Sequence, residues 1–359
     1  MHGYWEGVLK TRISRRRALT ATGTATVGAA LLAACGSRTE TGTDGSSLLS
    51  IPVDTSDQAV PGGTFQTWFK SDIPTADPHK APGTIPLQRL TDYYDFLVKY
   101  GRDGREGRYG TIEGDAAAGW EFSPDGLTLT FTLRPNHRFD QRPPTSGRAM
   151  TAVKFSWDRM LANGPFAGTI TPANPDSPFA SLSTTDDRTA VVKLNYPYLS
   201  TLDLFTHYRY LMLMPVETDE GKFDPRSETR GAGPFYLEKW EPSVRVILKR
   251  NPSWYEEGQP YFDGIVENTI PDGAATLAQF EAGALWDGAG YKPEDVLRVK
   301  NDHPEMVLRQ TFPVLGGGSS WTTSKQLGSI SRDTRARQAL SMLVDRDLYL
   351  AVVQGTDQF

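Results

Sequence analysis

From Leu127 to Leu133 apolar and polar positions alternate strictly, with Leu127, Leu129, Phe131 and Leu133 set against Thr128, Thr130 and Thr132. A period of two puts each set on its own face of a strand, so the segment predicts a strand with one buried side. Trp120 and Phe122 precede it across Ser123-Pro124-Asp125-Gly126, residue types that favour a tight turn, and the two runs predict a hairpin. Thr64 to Phe69 predicts a first strand, entered through Pro61-Gly62-Gly63 and stopped by Ser71-Asp72-Ile73-Pro74-Thr75-Ala76-Asp77-Pro78, whose prolines cannot continue a ladder. Thr189 to Leu194 predicts another short strand, and Phe235 to Trp240 with Val244 to Arg250 a second hairpin about Glu241-Pro242-Ser243. Helical spacing appears from Thr151 to Leu161, where Val153, Trp157, Met160 and Leu161 share a stripe that Asn163-Gly164-Pro165 ends. It returns from about Ala274 to Ala282, and from Thr334 to Asp345 with Ala336, Ala339, Leu340, Leu343 and Val344 on one side. Strands and helices mix without the strict alternation of a doubly wound parallel fold, which points to a mixed α/β (α+β) class.

The first thirty-five residues have a different pattern. Ser14-Arg15-Arg16-Arg17 leads into an uncharged run from Ala18 to Ala34, built mainly of Ala, Thr, Gly, Leu and Val. A spanning helix needs roughly 20 strongly apolar residues, and this run is shorter and diluted. Arg15 and Arg16 ahead of a weakly apolar run resemble a twin-arginine export signal. Leu32-Ala33-Ala34-Cys35-Gly36 resembles the bacterial lipobox, which implies that Cys35 is lipidated and becomes the mature N-terminus. Residues 36 to about 60 are rich in Ser, Thr, Gly and Asp and predict a flexible linker from lipid to folded domain.

The chain of 359 residues with 38% hydrophobic content can bury one large or two smaller cores. Lys10, Arg12, Arg15, Arg16 and Arg17 all precede Cys35, with only Glu6 against them, so the part after Cys35 is more acidic than the whole-chain net charge of -5. That balance argues against nucleic acid as a partner. With Cys35 as the single cysteine, an intrachain disulfide or a paired-cysteine metal site is impossible. His2, His79, His137, His207 and His303 never take metal-binding helical spacing, and they read as scattered surface or hydrogen-bonded residues. Gly316-Gly317-Gly318 precedes Ser319-Ser320 and reads as a turn, not a phosphate loop. Asp186-Asp187 and Glu256-Glu257 read as solvated loop charges. No cofactor or metal site and no catalytic residue is expected. Among the tryptophans, Trp120, Trp157 and Trp240 sit in phase with buried stripes. Trp68, at the end of the first strand, and Trp321, in a Gly/Ser-rich stretch, fit a ligand cleft better.

An ordered set of segments carries a resemblance. Gly62-Gly63-Thr64 leading to Asp72-Ile73-Pro74-Thr75-Ala76-Asp77-Pro78, the hairpin from Trp120 to Arg134, Arg138-Phe139, and Met150-Thr151-Ala152 with Val153 to Trp157 form its first half. Gly231-Ala232-Gly233-Pro234-Phe235, Lys249-Arg250-Asn251-Pro252-Ser253-Trp254-Tyr255 and Asp333 to Leu340 before Val344-Asp345-Arg346 form its second. Together they resemble the family 5 extracellular solute-binding proteins. The resemblance implies a two-lobed periplasmic-binding-protein-like fold, monomeric, that closes on a peptide or similar small solute and passes it to an ABC permease driven by ATPase subunits. It implies a first lobe over 61–269 with an inserted subdomain at about 91–205, and a second lobe that starts at 270 and is incomplete at 359. Trp68, Ser71, Asp72 and Trp321 are then the candidate ligand-binding residues. A secreted enzyme without a recognisable motif, or a non-functional fragment, are the alternatives.

Overall fold

The computed structural model describes residues 50, 55–101, 111–288, 293–308 and 328–354. Strand β1 is Thr64–Phe69, followed by helix α1 (Thr84–Arg89) and the short strands β2 (Val98–Tyr100) and β3 (Ile112–Gly114). Strands β4 (Ala117–Phe122) and β5 (Thr128–Leu133) are the predicted hairpin. Helices α2 (Val153–Asn163) and α3 (Ala167–Ile170) precede β6 (Phe179–Asp186), β7 (Thr189–Leu194) and α4 (Thr201–Thr206). The second predicted hairpin is β8 (Phe235–Glu241) with β9 (Arg245–Arg250), and β10 (Gly264–Thr269) comes next. The later helices are α5 (Gly273–Glu281), α6 (Pro293–Asp302), α7 (Thr334–Met342) and α8 (Arg346–Gln354).

These elements build two four-stranded sheets, β1-β10-β9-β8 and β4-β5-β7-β6, with β2 and β3 as a separate ribbon. Leu129, Phe131 and Leu133 of β5 are buried, and they pack with Trp157 and Met160 of α2 and with Phe179, Val192 and Phe205. The alternation read from the sequence is thus the inner face of the second sheet. A second core gathers Ile73, Leu87, Leu90, Tyr93, Tyr94, Met212 and Met214 against Phe235, Leu237, Val246 and Leu248 of the first sheet. Phe155 packs against both cores.

Charge inside these cores is paired. Arg159 on α2 is buried and donates from both terminal nitrogens to the Asp77 carboxylate, at 2.8 and 2.7 Å, and from Nε to Asp219 at 2.8 Å. His79 is buried, donates from Nε2 to the Met212 carbonyl at 3.0 Å, and is held down to about 4 chiefly by burial. His137 is also buried and bonded. These two histidines are interior, hydrogen-bonded residues, not surface ones.

The last predicted helix differs from expectation. It ends at Met342, not Asp345, because the Asp345 side chain accepts the Leu348 N–H at 2.9 Å and starts α8 instead. Ala339, Leu340 and Leu343 are exposed and Ala336 and Val344 half-buried, so the stripe read on this helix is largely uncovered. Strands β6 and β10 and helix α8 were not legible in the pattern. Outside the described residues lie the segment through Cys35, including Arg15 and Arg16, most of the linker and the Gly316–Gly318 triplet. Among the described residues no helix is long and apolar enough to cross a membrane.

The Gly231-Ala232-Gly233 motif has a steric origin. A Cβ at Gly231 would sit 1.9 Å from the Tyr93 carbonyl oxygen, and one at Gly233 would sit 2.6 Å from the Tyr93 carbonyl carbon. Gly231→Ala is therefore expected to destabilise the protein by about 3 kcal/mol through backbone overpacking. Gly168→Ala, where the added methyl meets open space within α3, is expected to stabilise by up to about 1 kcal/mol. Urea midpoints of the two variants check this, and equal midpoints would refute the packing account.

Candidate functional site

Strand β1 runs parallel to β10, with Trp68 opposite Asn268 and Phe69 opposite Thr269. The Ile270 N–H donates to the Phe69 carbonyl at 2.8 Å, which is the last bond before the chains part. After Phe69 the chain turns into the loop through Ser71 and Asp72. After Thr269 it enters α5, whose N-terminus Asp272 caps by accepting the Ala275 N–H at 2.8 Å. The two connections leave the carboxyl ends of the pair by different routes, the end at which open α/β sheets commonly hold ligands.

Arg89, at the end of α1, ties this edge together. It donates to Glu267 Oε2 at 2.7 Å and to the Ser71 carbonyl at 2.8 Å, and its guanidinium lies 4.0 Å from the Phe69 ring centre. Both members of the Arg89–Glu267 pair are buried. Burial raises the Glu267 carboxyl above its ordinary range, with Arg89 opposing. Nearby Asp92 is pushed up to about 7, first by lost hydration and then by the Glu267 charge. The buried Tyr93 hydroxyl, raised by the same causes, has no hydrogen-bond partner among the described residues.

Trp68 is half-buried and Ser71 is exposed. Asp72 is turned to another task. Its carboxylate accepts the Trp240 indole N–H at 3.2 Å, the Ser243 hydroxyl at 3.3 Å and the Ser243 backbone N–H. Those bonds hold the β8–β9 turn, where Ser243 has φ of 61°. The structure thus brings Trp68, Ser71 and Asp72 to one edge, while Trp321 lies outside the described residues. Sequence reasoning missed Arg89, Glu267 and Asn268, whose side-chain amide donates to the Thr67 carbonyl at 3.2 Å. The tryptophans also sort out: Trp157 is buried, Trp120 and Trp240 are half-buried, and Trp286 is exposed.

Of the acidic pairs, Asp186, Asp187 and Glu257 are exposed, but Glu256 is half-buried and ion-paired with Lys99, so it is not a solvated charge. Among the described residues no group of three His, Cys, Asp or Glu side chains could hold a metal ion. The edge offers an indole face, a hydroxyl and backbone polar groups around a neutralised base. That chemistry suits capture of a polar molecule carrying apolar side groups.

The family described as bacterial extracellular solute-binding proteins, family 5 Middle, matches residues 111–358. A Brucella ovis protein, named provisionally as an ABC transporter peptide-binding protein, is 29% identical over 278 residues, covering 74% of this chain and 48% of that protein. The probable D,D-dipeptide-binding periplasmic protein DdpA of Escherichia coli is 29% identical over 244 residues, 67% of this chain and 45% of its own. In fold, the chain is similar to the periplasmic binding protein DppA of Helicobacter pylori, solved in complex with the peptide STSA. That match has a TM-score of 0.58 at 24% identity and covers 69% of this chain and 50% of the other. The chain spans about half the length of the curated relatives it matches.

Removing Arg89 leaves Glu267 charged and unpaired inside the protein. Arg89→Met is expected to cost about 3–5 kcal/mol, and adding Glu267→Met should recover most of it, since the apolar pair no longer needs compensation. Chemical unfolding of the single and double variants measures both. A double variant no more stable than the single would contradict a pair-based role.

Proposed function

The chain belongs to the bacterial extracellular solute-binding proteins of family 5, and from that premise we propose that it captures peptides or similar small solutes outside the cytoplasmic membrane for an ABC importer. In this reading it binds and does not catalyse. It delivers its ligand, as a monomer, to a permease whose ATPase subunits power uptake. The arrangement that supports the reading is the end of the β1–β10 pair, where Arg89 bonds Glu267 and the Ser71 carbonyl close to Trp68 and Ser71. Trp68 supplies a flat apolar face, Ser71 a hydrogen-bonding group, and Asp72 acts through the hairpin that it holds in place. Trp321, outside the described residues, is included on the family resemblance. The first core-bearing segment, 61–269, is assigned to one lobe, with the 91–205 stretch inserted in it, and residues from 270 onward to the other.

The same reading has the chain exported through its twin-arginine signal at Arg15 and Arg16 and anchored by lipid on Cys35. The short, weakly apolar run that ends in Leu32-Ala33-Ala34-Cys35-Gly36 supports this. No one ligand is singled out: closure around a ligand's backbone, with water filling spare space, suits a broad range of side chains.

Ligand binding is tested by thermal unfolding of residues 36 to 359 with and without a mixed peptide pool. A ligand at 100 times its Kd stabilises by about 2.7 kcal/mol, so the transition should rise with peptide, and Trp68→Ala should reduce that rise at equal peptide concentration. A transition that ignores peptide sinks the proposal. Anchoring is tested separately by cell fractionation and labelled fatty acid. Cys35→Ala should lose the label and remain uncleaved, and a labelled or normally processed variant would rule out lipidation at this residue.

A further inference from the structure

The segment that follows α4 carries His207, Tyr208, Arg209 and Tyr210, all half-buried. Tyr208 packs against the core of the first sheet and Tyr210 against that of the second, so the segment lies where the two cores adjoin. The Arg209 backbone N–H donates to His207 Nδ1 at 3.1 Å, and the Tyr210 N–H to the His207 carbonyl at 3.1 Å. The His207 ring packs on those of Tyr208 and Tyr210, with centres 4.5 and 5.6 Å away.

Arg209 differs from every other buried or half-buried arginine among the described residues. The others donate to a carboxylate or a carbonyl, as Arg134 does to the Asp115 carbonyl, Arg148 to Glu217 and Arg250 to Asp263. The Arg209 side chain makes no hydrogen bond and no ion pair with a described residue. Its Nε is buried without a partner, while the terminal nitrogens, equally unbonded, stay open to solvent. The guanidinium carbon lies 5.2 Å from the Phe166 ring centre, but a ring face attracts a cation without accepting its in-plane N–H bonds. The nearest acid in sequence, Asp203 on α4, accepts the Tyr100 hydroxyl at 3.2 Å instead. Burial first, then the Arg209 charge, lowers His207, whose Nδ1 is already an acceptor, so the imidazole is neutral at neutral pH. Arg209 also opposes the burial that raises the Tyr210 hydroxyl, and that hydroxyl is unbonded among the described residues.

A half-buried cation with no counter-charge is costly in the folded protein, and an anion that reaches it recovers that cost as affinity. We propose that Arg209 is a binding site for the carboxylate of a small molecule with an apolar body: its two terminal nitrogens meet the two carboxylate oxygens, the Tyr210 hydroxyl donates a further bond, and the body lies along the exposed ring of Tyr198. One arginine beside a neutral histidine matches the single charge of a carboxylate better than the roughly two charges of a phosphate monoester. The site is separate from the β1–β10 end and stands whether or not that end binds peptide.

Ligand-observed NMR of the full chain at about pH 7, with benzoate as the probe, tests the assignment. Benzoate should bind saturably, and its neutral counterpart benzamide roughly tenfold or more weakly, as expected for loss of a charge-assisted pair. Arg209→Met should weaken benzoate by a similar factor and Tyr210→Phe by roughly two- to fivefold. Arg332→Met, which removes an exposed arginine elsewhere, should leave binding unchanged. Urea unfolding without ligand separates this role from a structural one: Arg209→Met deletes an unpaired charge, so its midpoint should equal or exceed that of the parent. Equal binding of benzamide, full benzoate affinity in Arg209→Met, tighter binding of phenyl phosphate than of benzoate, or a lower unfolding midpoint in Arg209→Met would each overturn the proposal.

Discussion

The parallel ladder between β1 and β10 is the constraint on which the rest of the molecule depends. It joins residue 64 to residue 264, so nearly every other element of the first two-thirds of the chain is an excursion that must return to this seam. Parallel neighbours need a crossover, and here the crossover is the entire second sheet with its own core. The seam survives burial because Glu267, placed by β10 against the underside of the sheet, meets Arg89 there. The same arginine holds the Ser71 carbonyl and the Phe69 ring, so the strand pairing and the loop after β1 share one support.

Legibility in the sequence followed the physics of burial. Leu127 to Leu133 was readable because one face of β5 is buried and the other is not, and the hairpin of β8 and β9 was readable for the same reason. Strand β10, Gly-Ile-Val-Glu-Asn-Thr, was not, because its buried positions are Gly264 and Glu267, and neither is apolar. Strand β6 hides behind a Ser/Thr-rich run in which only Phe179 and Leu182 are buried. A pattern of hydrophobic residues cannot report a buried charge whose partner lies far away in the chain.

The chain end of β1 was half legible for a related reason. Trp68, Ser71 and Asp72 stood out because a strand stops among prolines, and the structure does gather them at one edge. What those residues do there depends on distant partners: Trp240 and Ser243 claim the Asp72 carboxylate, and Arg89 claims the Ser71 carbonyl. The resemblance motifs carried more than the local pattern did. Gly231-Ala232-Gly233 is a packing requirement against the Tyr93 backbone, and Asn251 donates its side-chain amide to the Gly233 carbonyl at 2.9 Å. Motifs of this kind record contacts between segments, which periodicity does not.

The seam also sets an order of events during synthesis. β4, β5, β6 and β7 pair among themselves through short connections and can close their sheet from a contiguous stretch of chain. β1 has no such option. It leaves the ribosome early and cannot acquire its parallel neighbour until β10 has been made, roughly 10–40 s later at ordinary elongation rates. The first strand translated is thus among the last to be secured, and for that interval the nascent chain carries an unpaired edge.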